Sequence, residues 1–86
     1  MKKGIAGSVE SNDCLITVYE HDSLKININS IVYDFFKDNI ENTIRKTLEE
    51  LNIDKIKVVV EDKGALDYTI RARLITAIKR MGNNDA

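Results

Sequence analysis

The feature that most constrains the fold is an alternation of apolar and polar residues near the start of the chain, interrupted by a short polar segment. The apolar or small positions are Ile5, Gly7 and Val9 before the interruption, and Cys14, Ile16 and Val18 after it. A period of two on both sides of a polar break predicts two antiparallel strands joined by a hairpin turn. With Ser11 and Asn12 as the central turn residues, the predicted pairs are Val9 with Cys14, Gly7 with Ile16 and Ile5 with Val18. This register would place all the apolar side chains on one face.

The same pairing places Ser11 at the exposed tip of the hairpin. Asn12 is suitable for the second turn position, because Asn tolerates the positive φ that tight hairpin turns require. A nucleophilic serine needs an adjacent base, and the only histidine, His21, would lie at the far end of the second strand, roughly 25 Å away. Ser11 is therefore predicted to be non-catalytic, and the residues alone leave open an ordinary turn serine or an attachment point.

The rest of the chain predicts an α+β fold. Strands are expected at about 4–10, 13–20, 24–29 and 55–61, and helices at about 31–51 and 65–81. Asn52 is expected to end the first helix in the left-handed conformation. The run Val58-Val59-Val60 favours a central position for the fourth strand, but the order of the strands stays open. The apolar helix positions are Val32, Phe36, Ile40, Ile44, Leu48 and Leu51 in the first, and Leu66, Ile70, Leu74, Ala77, Ile78 and Met81 in the second. Burying both apolar stripes requires the helices to pack on one face of a small four-stranded sheet. We expect a single domain, 1–86, with a frayed C-terminal tail, 83–86.

Composition argues against several classes of function. The chain has 13 Lys and Arg against 14 Asp and Glu, so its net charge of −1 does not favour nucleic-acid binding. Its one cysteine, Cys14, excludes an internal disulfide and is expected in the core. No apolar run is long enough for a membrane helix, and the start of the chain does not resemble a signal peptide. We expect a cytoplasmic protein with no membrane contact.

Other polar residues give weaker signals. Asp22-Ser23-Leu24 matches the attachment triplet of ordinary acyl carrier proteins, but a strand pattern follows it instead of a helix, so a turn is favoured. His21 has no partners for a metal site, and Gly64 alone makes no phosphate loop. Asp67 and Arg71 are spaced for a helical ion pair, with docking or phosphate contact by Arg71 as the alternative. No catalytic or metal-binding residue is predicted.

Three segments nevertheless resemble a known family. They are Ala6-Gly7-Ser8-Val9-Glu10-Ser11-Asn12-Asp13, then Asp62-Lys63-Gly64-Ala65-Leu66-Asp67, and Arg71-Ala72-Arg73-Leu74. In these segments, and in its length and order of elements from about Gly4 to Met81, the chain is similar to the citrate lyase acyl carrier proteins, or gamma chains.

The resemblance implies that Ser11 carries 2′-(5″-phosphoribosyl)-3′-dephospho-coenzyme A through a phosphodiester, making the chain a phosphoprotein. Asn12 stands where the family commonly has glycine, and either residue permits the left-handed turn. The implied role is that of a non-catalytic carrier of acetyl and citryl thioesters in the cleavage of citrate to acetate and oxaloacetate. The resemblance assigns no chemical role to Asp67, Arg71 or Arg73.

The resemblance also implies partners. These are the alpha chain, which exchanges the acetyl group on the carrier for citrate to give citryl carrier, the beta chain, which cleaves citryl carrier, and a prosthetic-group transferase. Two alternatives remain open from the sequence. One is the carrier subunit of a malonate decarboxylase, which uses the same prosthetic group. The other is a small unmodified α+β regulatory or interaction module.

Overall fold

The structure, a computed structural model, describes residues 2–31 and 33–82, and the side chains of these residues except 33–37. The elements are β1 (Lys3–Gly7), β2 (Cys14–Glu20), β3 (Lys25–Ser30), α1 (Tyr33–Glu50), β4 (Ile56–Asp62) and α2 (Asp67–Gly82). The predicted α+β class is confirmed. Residues 83–86, predicted to be a frayed tail, lie outside the described residues, as do the side chain of Phe36 and the whole of Val32.

The four strands form one sheet in the order β1-β2-β4-β3. The β1–β2 and β2–β4 pairs are antiparallel, whereas β3 and β4 are parallel neighbours. Parallel neighbours need a crossover connection, and α1 supplies it between β3 and β4. β2 and β4 are the central strands, and in both of them every second residue along most of the strand is buried.

Both helices pack on the same face of the sheet. The core consists of Ala6, Cys14, Ile16, Val18, Ile40, Ile44, Leu48, Ile56, Val58, Val60, Ile70, Leu74 and Ala77. In the helices, two predicted core positions are wrong, because Leu51 is 40% exposed and Leu66 is 57% exposed. The physical reason is that each lies just beyond its helix: α1 ends at Glu50 and α2 begins at Asp67.

The first strand differs from its prediction in both length and register. β1 ends at Gly7 instead of residue 10, and Ala6, not Gly7, is paired with Ile16. A shift of one residue reverses which side chains face the core, so Ile5 is 40% exposed while Gly4 and Ala6 point inward. Small residues are required there, since a Cβ on Gly4 would lie 1.9 Å from the carbonyl oxygen of Ala77 in α2.

The end of α1 has the geometry that the sequence predicts. Asn52 has a φ of 57°, the left-handed conformation. Its N–H donates to the carbonyl of Glu49 at 3.1 Å, and the N–H of Ile53 donates to that of Leu48 at 2.9 Å. These two bonds form a Schellman motif, which satisfies carbonyls that the helix leaves unpaired. Neither α1 nor α2, over the residues described, combines the length and the apolar character needed to span a bilayer.

Candidate functional site

One end of the sheet gathers the loops that precede β2 and follow β1, β3 and β4. Cys14 at the start of β2 pairs with Asp62 at the end of β4, which pairs with Ser30 at the end of β3. The loop 8–13 between β1 and β2 therefore lies beside the loop 63–66 between β4 and α2. We call this the loop end of the sheet.

Ser11 lies at the exposed tip of loop 8–13. The N–H of Asp13 donates to the carbonyl of Glu10 at 3.2 Å, which makes Ser11 and Asn12 the central residues of a β-turn. Asn12 has a φ of 66°, as predicted. Within the described chain, the hydroxyl of Ser11 makes no hydrogen bond. The two central turn residues were thus predicted correctly. The turn lies within a six-residue loop, 8–13, and does not join the two strands directly.

Two backbone hydrogen bonds tie this turn to the neighbouring loop. The N–H of Asn12 donates to the carbonyl of Lys63 at 2.8 Å, and the N–H of Lys63 donates to the carbonyl of Asp13 at 2.9 Å. They continue the β2–β4 ladder beyond the last strand residues, so the Ser11 turn is fixed to the end of a central strand.

The side chain of Asp13 anchors the loop from within. Its Oδ2 accepts from the hydroxyl of Ser8 at 2.7 Å, and its Oδ1 accepts from the N–H of Cys14 at 2.7 Å. Arg73 of α2 donates to both oxygens, from Nε at 3.0 Å and from Nη2 at 3.2 Å. A bidentate arginine–carboxylate pair is both strong and geometrically specific. We call Ser8, Asp13 and Arg73 the loop clamp.

Electrostatics keep the clamp ionised. The hydrogen bonds from Arg73, from Ser8 and from the Cys14 N–H lower the pKa of Asp13 to about 2. The same pair raises the pKa of the Arg73 guanidinium. Asp13 is 18% exposed at its side chain, so the pair is only partly screened by solvent. Its negative charge is therefore compensated and does not act as a base toward Ser11.

Gly7 allows the clamp to form. Its φ of 98° is one that residues with a side chain rarely adopt, and a Cβ there would lie 1.8 Å from the carbonyl oxygen of Cys14. The same Cβ would lie 3.2 Å from Cδ of Arg73. Loop 8–13 therefore leaves β1 at a point where only glycine fits.

The other predicted candidates lie elsewhere. His21 and Ser23 contact one another at the opposite end of the sheet, where the Ser23 N–H donates to Nδ1 of His21 at 3.3 Å. β2 separates them from Ser11 by about 20 Å, at about 3.3 Å per residue. Cys14 is fully buried, and burial raises the pKa of its thiol to about 12. In the part of the chain that the structure describes, no group of three His, Cys, Asp or Glu residues could hold a metal ion.

The helical pair predicted between Asp67 and Arg71 is replaced by contacts between helices. Nη1 of Arg71 donates to Glu50 of α1 at 2.5 Å, and Asp67 accepts from Nδ2 of Asn39 at 2.9 Å. Both partners belong to α1, so the two side chains face that helix and bond to it instead of to each other. Arg71 thus joins α2 to α1, while Arg73 joins α2 to the loop clamp.

The clamp was missed in the sequence because its partners are far apart. Asp13 and Arg73 are separated by 60 residues, and charge spacing along one helix gives no indication of such a pair. The available signal was the joint presence of the Ser11 segment and the Arg71–Leu74 segment in the resemblance.

The chain is similar to several known proteins. The family model described as "ACP: Malonate decarboxylase delta subunit (MdcD)" matches residues 1–81. The citrate lyase acyl carrier protein of Treponema denticola is 37% identical over 79 residues, covering 92% of this chain and 91% of that protein. The Haemophilus influenzae protein of the same name is 47% identical over 79 residues, covering 92% and 83%.

A solved structure has the same fold. A chain in the crystal structure of a Pseudomonas malonate decarboxylase hetero-tetramer in complex with malonate matches with a TM-score of 0.82. The match covers 94% of this chain and 84% of that one, at 17% sequence identity. At this identity the similarity shows a common fold and nothing more.

Proposed function

The chain belongs to the family of acyl carrier proteins of citrate lyase and malonate decarboxylase, and from this membership we propose that it is the carrier subunit of a citrate lyase, modified at Ser11. As a member of this family it is a non-catalytic carrier. The observation that carries the assignment to Ser11 is its position at the exposed tip of a turn that the loop clamp and the β4 loop hold in place.

The geometry distinguishes Ser11 from the other loop serines. The Ser8 hydroxyl donates to Asp13 inside the clamp, and Ser23 lies with His21 at the opposite end of the sheet. An attachment point must offer its hydroxyl to a modifying enzyme without disturbing the fold. Ser11 meets this requirement, because its own side chain supports none of the contacts that fix the turn.

The residues present fit the proposed prosthetic group, 2′-(5″-phosphoribosyl)-3′-dephospho-coenzyme A, linked by a phosphodiester. The neighbouring carboxylate of Asp13 is neutralised by Arg73, so it opposes the charge of a phosphodiester less than a lone carboxylate would. When bound, the group supplies a terminal thiol that carries acetyl and citryl groups as thioesters. This chain supplies a fixed tether, which raises the concentration of that thiol at each partner's active site.

The proposed partners are the alpha and beta chains of citrate lyase and a prosthetic-group transferase, in the cytoplasm. Three exposed apolar side chains, Val9, Ile31 and Leu66, lie in or beside the loops at the Ser11 end of the sheet. Exposed apolar side chains near a tether favour contact with a protein that receives the arm. The single buried cysteine is consistent with a reducing compartment.

A second candidate is the carrier subunit of a malonate decarboxylase. The name of the matching family model favours it. Identities of 37% and 47% to citrate lyase carriers, against 17% to that chain, favour citrate. Reconstitution of the modified chain with citrate lyase alpha and beta chains separates the two candidates, because only a citrate lyase carrier should restore citrate cleavage.

The attachment is tested by the mass of the chain isolated from its native host. Digestion after glutamate releases the peptide from Ser11 to Glu20, in which Ser11 is the only serine. We expect this peptide to carry the mass of phosphoribosyl-dephospho-coenzyme A. An unmodified peptide from that host would contradict the proposal and favour the interaction module.

A further inference from the structure

A recess of about 230 Å³ opens beside the Ser11 turn, between loop 63–66 and the facing sides of the two helices. Its walls include Ile40, Ala65, Leu66 and Ile70, and Asn39 and Asp67 lie on its lining where the helices face each other. We infer that this recess receives the uncharged end of the arm attached to Ser11, an inference that rests on the proposed function.

The recess begins next to the point of attachment. Gly64 forms part of its lining, and Oδ1 of Asn12 lies 3.6 Å from the position that a Cβ on Gly64 would take. Asn12 directly follows Ser11, so an arm fixed at Ser11 starts close to the Gly64 wall of the recess. Docking is then intramolecular, so the flexible arm raises the effective concentration of its own end near the recess. A weak affinity is enough to keep the end of the arm in place.

The size of the recess selects a short segment of the arm. Its 230 Å³ lies below the roughly 300 to 1,000 Å³ of pockets that enclose drug-sized ligands. It equals the volume of about eight water molecules at roughly 30 Å³ each. The thiol end with a small acyl group fits this volume, whereas the nucleotide part of the arm does not. Leu66, which is 57% exposed, and the partly buried Ala65 offer such an end an apolar surface, and the buried Ile40 and Ile70 complete the lining.

The charges on the lining select against an anionic end. Asp62 is buried, with its carboxylate held by the Ser30 hydroxyl at 2.7 Å and by the Ala65 N–H at 2.9 Å. Asp67 is held by Asn39. Two carboxylates lining a small recess repel a further carboxylate. The recess therefore accepts an acetylated thiol and excludes a thiol that carries the carboxylates of citrate, which leaves the latter extended toward a partner.

The test uses the modified chain with a ¹³C-labelled acetyl group on its thiol. We expect nuclear Overhauser effects between the acetyl methyl and the methyls of Leu66 and Ile70. A docked-to-free ratio of about ten would also slow cleavage of the thioester by hydroxylamine about tenfold. A succinylated thiol, which adds one carboxylate, should show neither effect.

Two variants and a control complete the experiment. Leu66→Glu places a charge at the mouth of the recess, and Leu66 is exposed enough for the fold to tolerate it. Ala65→Leu fills the recess without adding charge. Both should remove the Overhauser effects and restore fast cleavage. Leu51→Glu, at an exposed leucine after the far end of α1, should change neither.

The outcomes separate the inference from the proposed function. Absence of the arm on Ser11, seen by mass, would overturn both. An arm that is present but gives no Overhauser effects, with equal cleavage rates in all variants, would overturn the inference and leave the carrier function intact. Protection that arises only after the alpha chain is added would also overturn it and assign the protection to the alpha chain.

Discussion

At the scale of single residues, the Ser11 turn is held by contacts in which the Ser11 side chain takes no part. The backbone of Asn12 and Asp13 bonds to Lys63, and the side chain of Asp13 bonds to Ser8 and Arg73. Support of the turn and the proposed attachment thus fall to different residues. Under the proposed function, this division would let a modifying enzyme change one hydroxyl without loosening the loop.

The first prediction concerns that hydroxyl. Ser11→Ala should abolish attachment of the prosthetic group while changing the free energy of unfolding by no more than about 0.5 kcal/mol, as expected for an exposed surface position. Mass spectrometry after treatment with the transferase measures attachment, and thermal unfolding measures stability. Ser23→Ala is the control, and it should be modified as efficiently as the unaltered chain. Loss of modification in that control would return the attachment site to Asp22-Ser23-Leu24.

The second prediction concerns the acid sensitivity of the clamp. The pKa of Asp13 is about 2 in the folded chain and about 3.8 without its partners. A lowered folded-state pKa stabilises the fold above pH 3.8, and this stabilisation is lost as the pH falls from about 4 to about 2. Asp13→Asn removes this titration, so the difference in melting temperature between the two proteins should be largest above pH 4 and shrink toward pH 2. Glu10→Gln, in the same loop, is the control. A difference that stays constant over this range would show that Asp13 does not titrate as a clamped carboxylate.

At the scale of elements, local signals predicted the site better than they predicted its strand. The Ser11–Asn12 turn and the Asn52 helix end were predicted because each depends on residues within a few positions. The register of β1 was not, because the small size of Gly4 and Ala6 matters only once α2 lies against them. Alternation favours the larger Ile5 and Val9 for the core, whereas close helix packing requires the smaller residues.

That explanation leads to the third prediction. Gly4→Ala places a Cβ within 1.9 Å of the Ala77 carbonyl oxygen, so α2 must move away from β1. We expect a loss of about 1 to 3 kcal/mol in the free energy of unfolding, the range for overpacked sites. Gly82→Ala is the matched control, since a Cβ there meets no atom within 4 Å. Denaturant unfolding of both variants measures the difference. Equal stabilities would mean that α2 does not lie this close to β1.

At the scale of the whole molecule, the sheet order explains how a short chain holds its loop end together. β4 occupies a central position and pairs with both β2 and β3, so its last residue, Asp62, lies between the start of β2 and the end of β3. The sequence predicted a central β4 from its run of valines but left the strand order open. A parallel β3–β4 pair depends on α1 packing over the sheet, which no local pattern specifies. The stability of the loop end therefore depends on the core beneath α1.

The last prediction tests that dependence. Leu48 is fully buried in the core, whereas Leu51, three residues later, is 40% exposed. Leu48→Ala should lower the free energy of unfolding by about 2 to 5 kcal/mol. Because about 1 kcal/mol shifts the melting temperature of a domain this size by about 4 to 8 °C, the melting temperature should fall by at least about 8 °C. Leu51→Ala should have a much smaller effect. If the two variants have the same melting temperature, α1 does not bury Leu48 against the sheet. The claim that this helix supports the loop end would then be wrong.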